Sequence, residues 1–444
     1  MTDEPGVPEP ARFSGQVEDG QAVPSTTVLT PVPVPRMARR VIGHQIPDDI
    51  MQDPGLREAI ALLPANYNFE IHKTVWRLRR AGARTVALQF PEGLLMYACV
   101  IADILQAHAG VARAYVMGDV TFGACCVDDY SAVALGADFL VHYGHSCLVP
   151  VDITSIPCMY VFVDIQMDLQ HLVDSVRLTF SRGTNLIMAG TIQFASSLQQ
   201  ARAELSTDFP SLAIPQAAPL SPGEVLGCTA PRFPPGTDAL VFLADGRFHL
   251  EAAMIANPGV PAYRYDPYAR SLTREGYDHK GMQAARREAI RKGARGEVWG
   301  LVLGTLGRQG NPALLASLQR LVRAAGKQYI VVLLSEVSPA KLAALSPGVD
   351  TWVQVACPRL SIDWGEGFAQ PTLNPYEAFV ALGEVPGWWE GDGDGEGGAA
   401  PYPMDYYSST GGAWAGTYHR PKPKGSGAAA LARLRASRAG KASE

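Results

Sequence analysis

The sequence predicts an α/β protein built from tandem related units, each with a short parallel sheet. Three observations carry that prediction. Short apolar runs alternate with stretches of helical periodicity, the pattern of parallel strands joined by crossover helices. The alternation restarts twice along the chain, as internal repeats do. Finally, Gly136-Ala137-Asp138-Phe139, Gly236-Thr237-Asp238-Ala239 and Gly348-Val349-Asp350-Thr351 align without gaps, each a Gly-x-Asp turn leading into a strand.

Residues 1–43 are rich in Pro, Val, Thr and Gly without steady periodicity and read as disordered. Order is expected from near Ile46. Asp53-Pro54 has the form of a helix cap followed by a first-turn proline, and Leu56, Ile60 and Leu63 then recur at helical spacing. A second helix places Ile71, Val75 and Leu78 on one face. Strands are expected at Thr85–Phe90, Ala114–Met117, Phe139–Tyr143 and Met159–Val163 in a first domain, residues 44–180. A second domain, residues 181–296, has Leu186–Ala189 and Ala239–Leu243. A third, residues 297–385, has Val298–Leu303, Tyr329–Leu334 and Thr351–Val355. Residues 386–444 read as a low-complexity acidic linker and a basic tail, with Pro401–Tyr407 docking back onto the body.

The 444 residues carry a net charge of -5 and are 47% hydrophobic. That is enough apolar content for real cores and no basic excess to suggest direct nucleic-acid binding. Met1-Thr2-Asp3-Glu4-Pro5 has neither a basic nor an apolar signal-peptide region. No apolar run approaches the roughly 20 residues of a membrane span. A soluble, cytoplasmic protein is expected. Seven cysteines, an odd number, argue against a complete disulfide framework. Cys99 and Cys158 have apolar neighbours and read as small buried hydrophobes. Cys125 and Cys357 have the glycine, proline and polar neighbours of exposed strand-end loops.

Cys125, Cys228 and Cys357 each follow a strand in a different unit. In parallel α/β units ligands bind beyond the carboxyl ends of the strands, so three such thiols can share one centre. Gly123-Ala124-Cys125 corresponds to Leu226-Gly227-Cys228. The third unit has Ser335-Glu336-Val337-Ser338 at that place and carries its thiol on the next strand's loop. Rival motifs are weaker. Gly393-x-Gly395-x-x-Gly398 follows no strand and opens no helix, so it lacks the mechanism of a dinucleotide loop. His142, His145 and Cys147 suggest zinc, without the ligand spacing that would support it.

Gly118-Asp119 with Phe122-Gly123-Ala124-Cys125, Tyr143-Gly144-His145, Asp245-Gly246-Arg247-Phe248-His249, Tyr263-Arg264-Tyr265-Asp266-Pro267 and Val355-Ala356-Cys357-Pro358-Arg359 together resemble the diphthamide synthesis family. The likeness covers roughly residues 44–407. It implies three related α/β domains arranged as a pseudo-threefold triangle around a central cluster site. It further implies a [4Fe-4S] cluster held by Cys125, Cys228 and Cys357, with Cys126 unliganded. The reaction implied is radical cleavage of the Cγ–S bond of S-adenosylmethionine and transfer of its 3-amino-3-carboxypropyl group to a histidine of translation elongation factor 2. The implied partners are a related subunit 2, in a heterodimer, and a small iron-binding electron donor with its reductase. Arg359 is the first candidate for the substrate carboxylate, since a guanidinium suits bidentate contact; the competing reading is a salt bridge to Asp363. His249 and Gln309 are further candidates from strand-end loops. The rival function is a non-catalytic scaffold or electron-relay subunit of the same heterodimer.

Overall fold

The computed structural model describes residues 46–119, 121–390 and 400–417. The segment 1–43, the glycine-rich acidic run after Glu390 and the basic tail therefore lie outside the described residues. The described chain opens as its caps dictate. Asp53 accepts the backbone N–H groups of Gly55 and Leu56 at 2.9 and 3.2 Å, with Pro54 at the first helical position of Pro54–Ile60. Helix Ile71–Ala81 then buries Ile71, Thr74, Val75 and Leu78.

Three four-stranded sheets follow. The first runs Arg113–Val116, Thr85–Gln89, Phe139–Tyr143, Cys158–Val161, all parallel. The third runs Gln328–Leu334, Val298–Gly304, Thr351–Val355, Thr372–Leu373, also all parallel. Both share one order, with the first strand in sequence lying between the second and the third. The middle sheet places Leu186–Gly190, Ala239–Leu243 and Ala262–Asp266 in parallel and ends on an antiparallel edge, Ser271–Glu275. Its second-strand place is reduced to two isolated parallel bridges, Ile187 with Ala213 and Gly190 with Glu224. The strands Phe139–Tyr143, Leu186–Gly190, Ala239–Leu243 and Thr351–Val355 are buried at every residue, as strands covered on both faces must be.

The Gly-x-Asp repeat has a structural cause. Gly136, Gly236 and Gly348 have φ of 80°, 81° and 85°, a left-handed turn that a Cβ disfavours. The aspartate two residues on reaches back to the start of its sheet's first strand. Asp138 accepts the N–H groups of Arg84 and Thr85, Asp238 that of Asn185, and Asp350 those of Glu297 and Val298. The same clasp closes the amino end of all three sheets.

Strands Ala262–Asp266, Ser271–Glu275 and Thr372–Leu373 are not visible as apolar runs. The first interleaves tyrosines with charged residues, the second has Leu272 as its one apolar residue, and the third has only two residues. Cys99 corrects the sequence reading: it is exposed, whereas Cys158 is buried. Helix Ala98–His108 turns Ala98, Ile101, Ala102 and Leu105 inward, which leaves its second residue on the outer face. The largest core joins the second and third sheets and takes in Tyr402, Met404, Tyr406 and Tyr407 from the 400–417 segment. Arg286 and Glu377 anchor that joint as a buried ion pair at 2.7 Å, and Tyr402 donates to Glu377 at 2.9 Å. Among the described residues, no helix is long and apolar enough to cross a membrane.

Candidate functional site

Each cysteine is presented by a loop at the carboxyl end of its sheet. Cys125 and Cys126 form a short 3-10 turn beyond Arg113–Val116. Gln89, at the end of the first strand, donates from Nε2 to the Cys126 carbonyl at 2.8 Å. Cys228 sits in a tight turn closed by reciprocal bonds between Leu226 and Thr229, of 2.9 and 3.2 Å. The 400–417 segment covers that turn: Ala230 donates to the Met404 carbonyl at 2.9 Å, and Tyr407 N–H donates to Thr229 Oγ1 at 3.0 Å. Cys357 lies between strand Thr351–Val355 and helix Arg359–Trp364. The buried Gln354 amide donates to the Cys357 carbonyl at 3.0 Å.

The three loops meet. The Cys125 thiol is pushed well up, first by its hydrogen bond to Cys126, then by burial and by the nearby Cys126, Cys228 and Cys357. Burial, with Cys357 close by, pushes Cys228 up to about 12. Burial likewise raises Cys357 to about 11, against the opposing pull of the Arg359 N–H and charge. Cys126 goes the other way, to about 7, because Cys125 donates to it and the Phe122 and Gly123 N–H groups and the Gln309 amide assist. Among the described residues, no three His, Cys, Asp or Glu side chains are arranged to hold a metal ion. The thiols thus gather without closing on one ion's position.

The zinc reading does not fit. His142 spends Nδ1 on Gln89 Oε1 at 2.9 Å, and Cys147 is exposed. Burial and the neighbouring His249 hold His145 down at about 4. His249 is held at about 4 by burial and the Arg359 charge. Two neutral imidazoles from different units therefore stand near each other, His249 beside Arg359. Gln309 also reaches the centre, donating from Nε2 to Cys126 Sγ at 3.3 Å.

Arg359 corrects the sequence reading. It is 2% exposed, and its donors are committed to the protein. Nε bonds both Asp363 oxygens, Nη1 the Gly227 and Phe248 carbonyls, and Nη2 Glu251, at 2.5–3.2 Å. Its guanidinium also stacks 4.3 Å from the Phe248 ring centre. A fork so occupied is a structural tie and not an open carboxylate receptor. Sequence reasoning also missed Arg308. It pairs bidentately with the buried Asp129 at 2.8 and 2.6 Å, and its N–H donates to the Cys125 carbonyl at 2.9 Å. Only the glycine-rich setting of Leu303–Gly310 hints at it; nothing local names a partner 179 residues away.

Residues 90–392 match the family described as "Putative diphthamide synthesis protein". The chain belongs to the diphthamide synthesis family. Within that family it is 56% identical over 375 residues to the chicken (Gallus gallus) 2-(3-amino-3-carboxypropyl)histidine synthase subunit 1, covering 84% of this chain and 88% of that protein. It is 55% identical over 377 residues to the human (Homo sapiens) protein of the same name, covering 84% and 83%. The fold matches that of Dph2 from Pyrococcus horikoshii, solved with a 4Fe-4S cluster. The TM-score is 0.59 at 24% identity, covering 71% of this chain and 91% of that one.

Proposed function

We propose that this diphthamide-family chain transfers the 3-amino-3-carboxypropyl group of S-adenosylmethionine to a histidine of elongation factor 2. In this reading Cys125, Cys228 and Cys357 hold a [4Fe-4S] cluster. The observation that carries it is that loops from the carboxyl ends of three different sheets, each bearing one of these cysteines, are tied together, Arg308 to the Cys125 carbonyl and Arg359 to the Gly227 carbonyl. The donor set fits such a group: cluster irons take cysteine thiolates, and three thiolates leave one iron open. The names of the relatives and the cluster in the Pyrococcus horikoshii protein support the same reading.

When bound, the cluster supplies one-electron reducing power beside the substrate's sulfonium, suited to opening the Cγ–S bond. The chain's own residues supply position and dryness. Burial of Cys228 behind Tyr406 and Tyr407 keeps water from one side, and held geometry is worth large factors in rate. His145 and His249, uncharged at neutral pH, can offer hydrogen bonds to the substrate's polar end without adding charge. The centre would be built from three domains, residues 44–180, 181–296 and 297–385. The chain would work in the cytoplasm with a related subunit 2, drawing electrons from a small iron-binding protein and its reductase.

Anaerobic reconstitution tests this. The wild-type chain with its partner should bind iron and sulfide and form methylthioadenosine. Cys125→Ala, Cys228→Ala and Cys357→Ala should each lose both. Retained product formation in any of the three removes that cysteine from the set. Retained cluster without product in the wild type favours a scaffold or relay subunit instead.

A further inference from the structure

Two of the ties around the thiols share one origin. Both cysteine loops that belong to other sheets are held by arginines of the third unit. Arg308 grips the Cys125 loop through Asp129, which is fully buried, and through its own N–H on the Cys125 carbonyl. Gly307 lies so close beneath that loop that a Cβ there would fall 2.5 Å from the Cys126 carbonyl carbon, at a φ of 53°. Arg359 grips the Cys228 loop through the carbonyl of Gly227, and through Phe248 and Glu251 of the following helix. The second anchor of Arg359, itself two residues beyond Cys357, is Asp363 on the third unit's own helix. Cys357 needs no third tie, because it is on the gripping unit.

We infer that Arg308 and Arg359 form a two-armed clamp through which the third unit sets the spacing of the three thiols before any cofactor is present. Both are positioning residues, acting through what their guanidinium groups grip; the Arg359 backbone N–H also reaches the Cys357 thiol beside it. A preset spacing matters because three separate loops would otherwise lose conformational freedom when the cofactor arrives, and preorganisation removes that cost. Arginine suits the task, since its rigid fork bonds a carboxylate and backbone carbonyls at once, whereas lysine offers a point charge on a flexible stem. The inference rests on the reading that these three cysteines form one centre, but the geometry of the metal-free chain tests it separately.

The test uses dibromobimane on the full-length, metal-free chain, a reagent that bridges neighbouring thiols. Bridged peptides are identified by mass spectrometry, and single-thiol labelling with monobromobimane corrects for changed reactivity. Arg359→Lys should lower Cys228–Cys357 bridging on the order of tenfold and spare the bridges of Cys125 to Cys357. Arg308→Lys should lower the Cys125 bridges and spare Cys228–Cys357. Gly307→Ala removes no charge, so it remains informative should a lysine variant fail to fold; it should behave like Arg308→Lys. Bridging within about twofold of wild type in the folded variants overturns the clamp, as does an equal loss of every bridge, which general loosening would give. A wild-type chain that bridges its thiols yet takes up no iron would instead sink the reading of the centre as an iron–sulfur site and leave the clamp standing.

Discussion

Cys125 and Cys228 occupy corresponding loops of the first two sheets, yet the molecule holds them differently. The Cys228 turn is part of the core: Cys228 is 8% exposed, and the 400–417 segment lies over the turn. Gly227 abuts the Phe248 ring so closely that a Cβ would overlap it. The Cys125 loop is docked on the core instead. Cys125 is half-buried, Phe122 is 69% exposed, and a Cβ at Gly123 would make only ordinary contact, 3.7 Å from Cys125 Sγ. Corresponding places in a repeat therefore do not require identical support, and substitutions should separate the two loops.

The largest separation is expected at Tyr406→Ala. Removing this buried ring should cost about 3–5 kcal/mol in urea denaturation and weaken cofactor retention through the Cys228 turn. A cost below about 1 kcal/mol would place the segment outside the cooperative core. Gly227→Ala should come next, at about 1–3 kcal/mol, because Phe248 must leave its place over Arg359. Asp350→Asn, at the opposite end of the third sheet, should cost about 0.5–1.5 kcal/mol through its two backbone bonds and leave thiol bridging unchanged. Those bonds to the Val298 and Glu297 N–H groups hold the Asp350 carboxyl below its usual 3.8. The contribution should thus be complete above that pH, and wild type and variant should converge as the pH falls through the lowered value. Gly123→Ala should be the mildest, within about 0.5 kcal/mol of wild type. A cost there matching that of Gly227→Ala would erase the distinction between the loops.

Much of the fold could be read from the chain because its central strands are buried on both faces and so appear as unbroken apolar runs. Phe139–Tyr143 and Thr351–Val355 are such cases. That the three cysteines lie on loops at the carboxyl ends of their sheets was legible from the strand pattern, although the third unit uses a different loop from the other two. The failures share a different cause. Cys99 was misplaced by judging immediate neighbours instead of helical phase. Arg359 looked available because its partners Gly227, Phe248 and Glu251 lie over a hundred residues away. The same distance hid the pairing of Arg308 with Asp129 and the cover that Tyr406 and Tyr407 give to Cys228.

The aspartate clasp divides labour along each sheet. It ties the amino ends together at the side remote from the thiols, so the opposite rim is released from any duty to keep the unit standing. The third unit makes use of that licence, bearing its sulfur on another loop while Asp350 grips Glu297 and Val298 as its counterparts grip theirs. A sheet fastened in this way can exchange the chemistry at its mouth and remain the same building block.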